Sequence, residues 1–219
     1  SYTGAAEKIR VVYSAVKEGF QPTPYTEQES TREKYTGGKQ YFIYVGALQP
    51  RKNLLNLLKG FSVFKNRLKS EMKLVLCGRM AWKNEELVKM LKTYKFRHDV
   101  LLTGYVSEKE LVTLLGSAYA MVYPSFFEGF GVPVLEAMHC NVPALTSSGT
   151  SMEEIGADAA LYFNPRDHKD IGDKMMMIYK DENLRSRLIE NGKKTAAGYS
   201  WQKTADLLWL SVMDASIKK

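Results

Sequence analysis

Tyr41-Phe42-Ile43-Tyr44-Val45 is apolar or aromatic without a break and stops at Gly46. A strand with one wet face alternates polar and apolar side chains. An unbroken run fits a strand covered on both faces, as in parallel sheets. Similar runs recur at Lys73–Cys77 before Gly78, Val100–Leu102 before Thr103-Gly104, Ala120–Tyr123 before Pro124, Pro143–Thr146 and Ala159–Phe163. Helical periodicity fills the intervals. Between Asn53 and Lys69, residues Leu54, Leu57, Leu58, Phe61, Phe64 and Leu68 share one face, and Asn53 is placed to cap that helix. Further helices are expected over Glu85–Phe96, from Ser107, over Val132–His139, Asp167–Tyr179, Glu182–Lys194 and Ser200–Ile217. Ser107 with Glu110 reads as a capping box, and Asn141 as a left-handed helix end. Ile9–Tyr13 reads as a short strand. Gln21–Gln40 reads as polar loop with a short helix around Glu27–Tyr35. Strands alternating with helices over short links define an α/β chain with a Rossmann-like, doubly wound parallel sheet.

In such sheets ligands bind beyond the carboxyl ends of the strands. The polar, glycine-rich segments fall there: Gly46–Asn53, Gly78–Lys83, Gly104–Ser107, Ser125–Gly131 and Thr146–Ser151. The fourth is the most informative. Glu128 and Glu136 are separated by seven residues that include Gly129-Phe130-Gly131 and a helix start at Val132-Pro133. Proline suits a first helical turn, where its missing N–H costs nothing. Amides of Gly129, Phe130, Gly131 and Val132, at a helix start without bulky side chains at the two glycines, form an anion site. Glu136 is suited to two vicinal hydroxyls of a ribose, and the apolar residues around it make a partnerless carboxylate there costly. Arg51 and Lys52 lie on the same rim. They would neutralise a diphosphate, one as a fork and one as a point charge. Taken alone, these residues also read as a loop carboxylate, an exposed helix carboxylate and two solvated cations.

The remaining features exclude more than they assert. The net charge of +7 comes from 31 basic and 24 acidic residues scattered along the chain. No basic run is interleaved with aromatics as in single-strand nucleic-acid binders, so no nucleic-acid partner is expected. His98, His139 and His168 have no metal or triad spacing, and no P-loop, GxGxxG or zinc pattern occurs. Cys77 and Cys140 sit in apolar runs and read as buried thiols of a reducing compartment. No apolar run approaches the ~20 residues of a membrane span. Trp82 receives no role, and Ser147–Ser151 reads as a flexible hydroxyl-rich loop that either touches a phosphate or simply turns the chain.

These residues together resemble the donor-binding half of a retaining GT-B glycosyltransferase, in the group 1 family that includes bacterial mannosyltransferases and sucrose or glycogen synthases. The segments that carry the resemblance are Val45–Leu54, Gly104-Tyr105-Val106, Tyr123-Pro124-Ser125 through Glu136-Ala137-Met138, and Ser200-Trp201. The resemblance implies that Lys52, with Arg51, holds the donor diphosphate and that Glu128 contacts the hexose. It gives the amides of Gly129, Phe130, Gly131 and Val132 to sugar and phosphates, and Glu136 to the ribose. Backbone groups at Gly104, Tyr105 and Val106 would meet the nucleobase, with Gly46 lining the donor site. No metal or cofactor is implied, since basic side chains and helix-start amides stabilise the leaving diphosphate. Three positions depart from the family pattern: Ala47 where many relatives carry Arg or Thr, Asn141 where Gly is usual, and Glu153 where Pro is usual.

The expected organisation is a linker remnant over 1–8, a nucleotide-sugar-binding domain over 9–199 and a crossover helix over 200–219. The N-terminal acceptor domain of the same enzyme is expected as its partner, so this chain alone would hold a donor without turning it over. Trp201, Leu207, Leu208 and Trp209 would then be left as an apolar patch. The implied reaction moves a hexose, with GDP-mannose as the leaning, to a saccharide or lipid-linked acceptor with retention. The implied setting is cytoplasmic, with the full-length enzyme at the inner membrane face. Competing readings are a non-catalytic nucleotide-binding or regulatory module and an epimerase-like domain.

Overall fold

A computed structural model describes residues 9–82 and 84–217; the expected linker 1–8, and Lys83 of the second rim segment, lie outside them. Six parallel strands form one sheet in the order β3-β2-β1-β4-β5-β6. They are β1 (Tyr41–Val45), β2 (Lys73–Cys77), β3 (Val100–Gly104), β4 (Ala120–Tyr123), β5 (Ala144–Ser147) and β6 (Ala160–Phe163). The helices are α1 (Tyr25–Thr36), α2 (Leu54–Leu68), α3 (Glu85–Thr93), α4 (Glu108–Gly116), α5 (Val132–His139), α6 (Ser151–Gly156), α7 (His168–Lys180), α8 (Glu182–Ala196) and α9 (Trp201–Ile217). All residues of β1, β4 and β5 are buried, as expected for strands covered on both faces. The core is continuous, from Phe42, Ile43 and Leu74 in the sheet to Phe61 and Phe64 on α2 and Ile171 and Met175 on α7.

The winding reverses at β1, which pairs with β2 on one side and β4 on the other. The loops leaving β1 and β4 therefore diverge and open a crevice at the carboxyl rim. Arg51 and Lys52 come from the first of these loops and Glu128 from the second.

Four sequence expectations are corrected. Ile9–Tyr13 forms no strand. It runs as an irregular strap tied to α9: Thr204 Oγ1 donates to the Tyr13 oxygen at 2.7 Å, and just beyond the segment Trp201 Nε1 donates to the Val16 oxygen at 3.0 Å. Asn53 does not cap α2 with its side chain. It adopts a left-handed backbone, φ 59°, and its amide donates to the carbonyls of Pro124 (3.0 Å) and Pro165 (2.7 Å), tying the β1 loop to the β4 and β6 loops. The capping box at α4 is half formed. Ser107 Oγ accepts from the Glu110 amide, but the Glu110 carboxylate turns to Lys34 and Tyr35 instead. The hydroxyl-rich loop ends in a helix, α6, capped by Thr150. Two limits shift: the helix expected over Glu85–Phe96 stops at Thr93, and Leu207 of the expected apolar patch is half-buried. Asn141 is left-handed at φ 58°, and the short helix before β1 is real and longer, spanning Tyr25–Thr36. Both cysteines are buried and free.

Candidate functional site

The β1 strand ends at Gly46, and a one-turn 3-10 helix, Pro50–Lys52, then turns Lys52 inward. Lys52 is only 8% exposed. Its Nζ donates to Glu128 Oε1 at 2.6 Å and to the Tyr123 hydroxyl at 2.6 Å, and lies 4.9 Å from the centre of the Tyr123 ring. Tyr123 is the last residue of β4 and stacks on Tyr44 of β1, with ring centres 5.8 Å apart. Arg51 approaches the other carboxylate oxygen, Nη1 to Oε2 at 3.2 Å, and also donates to the Phe127 carbonyl. The structure thus joins Arg51, Lys52 and Glu128 in one contact network.

Glu128 is pulled two ways. Burial pushes its carboxyl up, but the hydrogen bond from Lys52, with help from Arg51, outweighs this and holds it below the ordinary carboxylate range. Behind it, the backbone is fixed by α6, where Ser151 Oγ donates to the Glu128 carbonyl at 2.8 Å. Gly131 leads into α5 at φ 110°, and a Cβ there would stand 2.8 Å from Met152 Cγ. Only glycine gives both that backbone and that clearance. The amides of Gly129, Phe130, Gly131 and Val132 have no acceptor among the described residues, and Gly131 supplies no side-chain cap. Four unengaged donors at a helix start thus lie beside two cations that share the Glu128 carboxylate, a polarity that favours an anion.

Glu136 lies apart from this network, on the second turn of α5. No hydrogen bond or ion pair to its carboxylate occurs among the described residues. Burial pushes its pKa up to about 7; Glu108 at the start of α4 adds to the rise and Lys17 opposes it. Glu108 follows Val106 by two residues, in the segment that opens α4. Tyr105 is 83% exposed. Gly46, Gly78 and Gly104 join the strand ends: the Gly46 amide donates to the Cys77 carbonyl (2.9 Å) and the Gly78 amide to the Gly104 carbonyl (3.1 Å). A concavity of about 300 Å³ lined by Pro50, Asn53, Leu55, Asn84 and Phe126 abuts the Arg51–Lys52 loop.

Sequence reasoning missed Tyr123, Ser151 and Met152. Tyr123 reads as one more strand residue, and only the pairing of β1 with β4 brings its hydroxyl to Lys52. Ser151 lies in the segment read as a loop. No group of three His, Cys, Asp or Glu residues among the described ones is placed to hold a metal. No described helix is long and apolar enough to cross a membrane.

Similarity to known proteins follows the same lines. The profile of the family described as Glycosyl transferases group 1 matches residues 26–195. The O-antigen chain mannosyltransferase B of Escherichia coli is 31% identical over 198 residues, 90% of this chain and 52% of that protein. The O-antigen chain mannosyltransferase RfbU of Salmonella typhimurium is 34% identical over 169 residues, 77% of this chain and 44% of that protein. The chain therefore spans about half the length of these curated relatives. Among solved structures, Anabaena Alr3699/HepE in complex with UDP and glucose superposes with a TM-score of 0.81 at 16% identity, covering 98% of this chain and 58% of that one. The sheet order, the rim motif and these matches agree: this chain is one Rossmann-like half of a GT-B fold and belongs to the glycosyl transferases group 1 family.

Proposed function

We propose that this chain is the donor-binding half of a retaining hexosyltransferase. Its ligand is a nucleoside diphosphate sugar, with GDP-mannose favoured because two curated relatives are named as mannosyltransferases. The observation that carries the proposal is the meeting of Lys52, Arg51 and Glu128 beside four unengaged amides at the β1/β4 crevice. In this reading Lys52 and Arg51 hold the diphosphate, and the amides of Gly129 to Val132 share its charge and meet the sugar. Glu136 takes the ribose hydroxyls, and the backbone of Gly104 to Val106 meets the base, with Gly46 on the floor. Glu128 exchanges its ion pairs for hydroxyls of the hexose. As the bond to the sugar breaks, negative charge builds on the leaving diphosphate, and fixed cations and amide dipoles stabilise it without a required metal.

The acceptor, a saccharide or lipid-linked sugar, would be presented by a second half. The apolar face of α9, with Trp201, Leu208, Trp209 and Val212 exposed, is the proposed surface for it. The proposed setting is the cytoplasm, with the whole enzyme at the inner face of the membrane.

Calorimetric titration tests this. GDP-mannose, UDP-glucose and ADP-glucose are each compared with their nucleoside diphosphates, using wild type and Glu128→Gln. Expected is binding of one nucleotide family, with Glu128→Gln binding the bare diphosphate at least as well but losing preference for the sugar conjugate. Folded protein that binds none of these ligands refutes the proposal.

A further inference from the structure

The turn that carries the free amides is held from outside the sheet. Phe130 packs against two rings that belong to the chain's two flanks: Tyr13 on the N-terminal strap, with ring centres 6.2 Å apart, and Tyr199 just before α9, at 5.9 Å edge to face. Tyr13 and Tyr199 meet each other at 5.7 Å, edge to face, closing a three-ring cluster. The Tyr13 hydroxyl donates to Glu154 Oε1 at 2.7 Å. Glu154 is on α6, the helix whose Ser151 holds the Glu128 carbonyl and whose Met152 abuts Gly131. Tyr13 therefore touches both supports of the Glu128–Val132 turn, the aromatic one and the α6 one.

Apart from the Tyr13 bond to α6, the strap's described side-chain and carbonyl tethers go to α9. Besides the bonds from Thr204 and Trp201, Arg10 pairs with Asp214 at 2.7 Å. A cavity of about 370 Å³, lined by Tyr13, Glu154, Tyr199, Lys203 and Thr204, lies beside the cluster. Tyr13 thus has room to leave its place without opening the core.

We propose that Tyr13 is a positioning residue for the Gly129–Val132 turn and couples that turn to the position of α9 and the strap. Tyr13 need not touch a ligand. Its ring packs on Phe130, and Phe130 sits between the two glycines whose amides have no acceptor among the described residues. A flexible Gly-Phe-Gly turn would otherwise lose conformational entropy on binding an anion. Movement of α9, whose exposed apolar residues mark it as a contact element, would reach the turn through this cluster. The consequence for donor binding rests on the function proposed above, whereas the positioning of the turn does not.

Amide NMR of the free chain and calorimetry with GDP-mannose separate the two. Tyr13→Ala is expected to shift and broaden the amide signals of Gly129, Phe130 and Gly131 while those of β2 stay in place. Tyr13→Phe, which keeps the ring and loses only the bond to Glu154, should restore most of the wild-type signals. GDP-mannose affinity should fall about fivefold in Tyr13→Ala and stay within about twofold in Tyr13→Phe, the scale expected of aromatic pairs. Should Tyr13→Ala fold poorly, Thr204→Val, which removes the tether to the Tyr13 carbonyl together with a bond to the Ser200 carbonyl within α9, is expected to give the same shifts in smaller size. Unchanged turn amides in Tyr13→Ala or in Thr204→Val overturn the proposal. So do equal shifts across the whole sheet, which would mark a role in global stability only. If GDP-mannose does not bind wild type, the donor reading fails while the NMR arm still decides the positioning role.

Discussion

Replacing Lys52 by methionine removes one charge while keeping an unbranched apolar stem in the same space. The side chains of Lys52 and Glu128 are 10% and 12% exposed, so their 2.6 Å contact is largely screened from water by protein. A hydrogen bond to a charged group of this kind contributes about 1.5–3 kcal/mol. Orphaning a fully buried charge costs about 3–5 kcal/mol. Glu128 keeps Arg51 at 3.2 Å and a rim-facing position, so the upper range is not reached. The expected loss for Lys52→Met is about 2–3 kcal/mol at pH 7, read from urea denaturation. The pH dependence gives the sharper check. The Glu128 carboxyl is depressed in the folded state relative to its ordinary value near 4.5. Its contribution is therefore fully present above about pH 4.5 and fades as pH falls through the depressed native value. The gap between wild type and Lys52→Met should narrow below pH 4 toward the packing difference of Met for Lys. An equal gap at pH 7 and pH 3 would show that the loss is one of packing, and a gap under about 0.5 kcal/mol at pH 7 would refute the reasoning about burial.

The opposite sign is expected at Glu136. Burial pushes its folded pKa from about 4.5 to about 7, so the native state resists ionisation and wild-type stability falls as pH rises through that window. Glu136→Gln should be neutral at pH 4 and stabilising by on the order of 2–3 kcal/mol at pH 8, in paired urea titrations; equal effects at both pH values would contradict this. Gly78→Ala should be severe. Its Cβ would fall 2.0 Å from the Gly46 carbonyl oxygen, and the backbone sits at φ 148°. Loss of about 3 kcal/mol or more, or failure to fold, is expected, and a variant with an unchanged urea midpoint would show that the β1 and β2 ends can separate freely.

The sheet and most of its helices were legible in the sequence because strands buried on both faces must be apolar throughout. Tyr41–Val45 and Ala120–Tyr123 carry that signal without help from partners. Ile9–Tyr13 carries a similar β-prone run yet pairs with no strand. Pairing needs a sheet edge, and the bonds of this segment go instead to Thr204, Asp214 and Glu154, well over 100 residues away in sequence. Asn53 shows the same limit at one residue. Its type fits a cap, but two distant carbonyls, of Pro124 and Pro165, claim its amide first.

For the site, the sequence by itself placed Arg51, Lys52, Glu128 and the glycine-rich helix start on one rim, because parallel topology sends every β-to-α loop to the carboxyl end of the sheet. It also marked Glu136 as a carboxylate among apolar neighbours. Only the tertiary structure decided that Lys52 and Glu128 are in contact, that the Tyr123 hydroxyl meets both, and that the Glu136 carboxylate lies outside that network. The Lys52 contacts depend on the strand order at β1/β4 and on distances of a few ångströms between residues some 70 positions apart. Local pattern fixes which end of a strand a residue occupies, whereas the chain's own folding fixes which other end lies beside it.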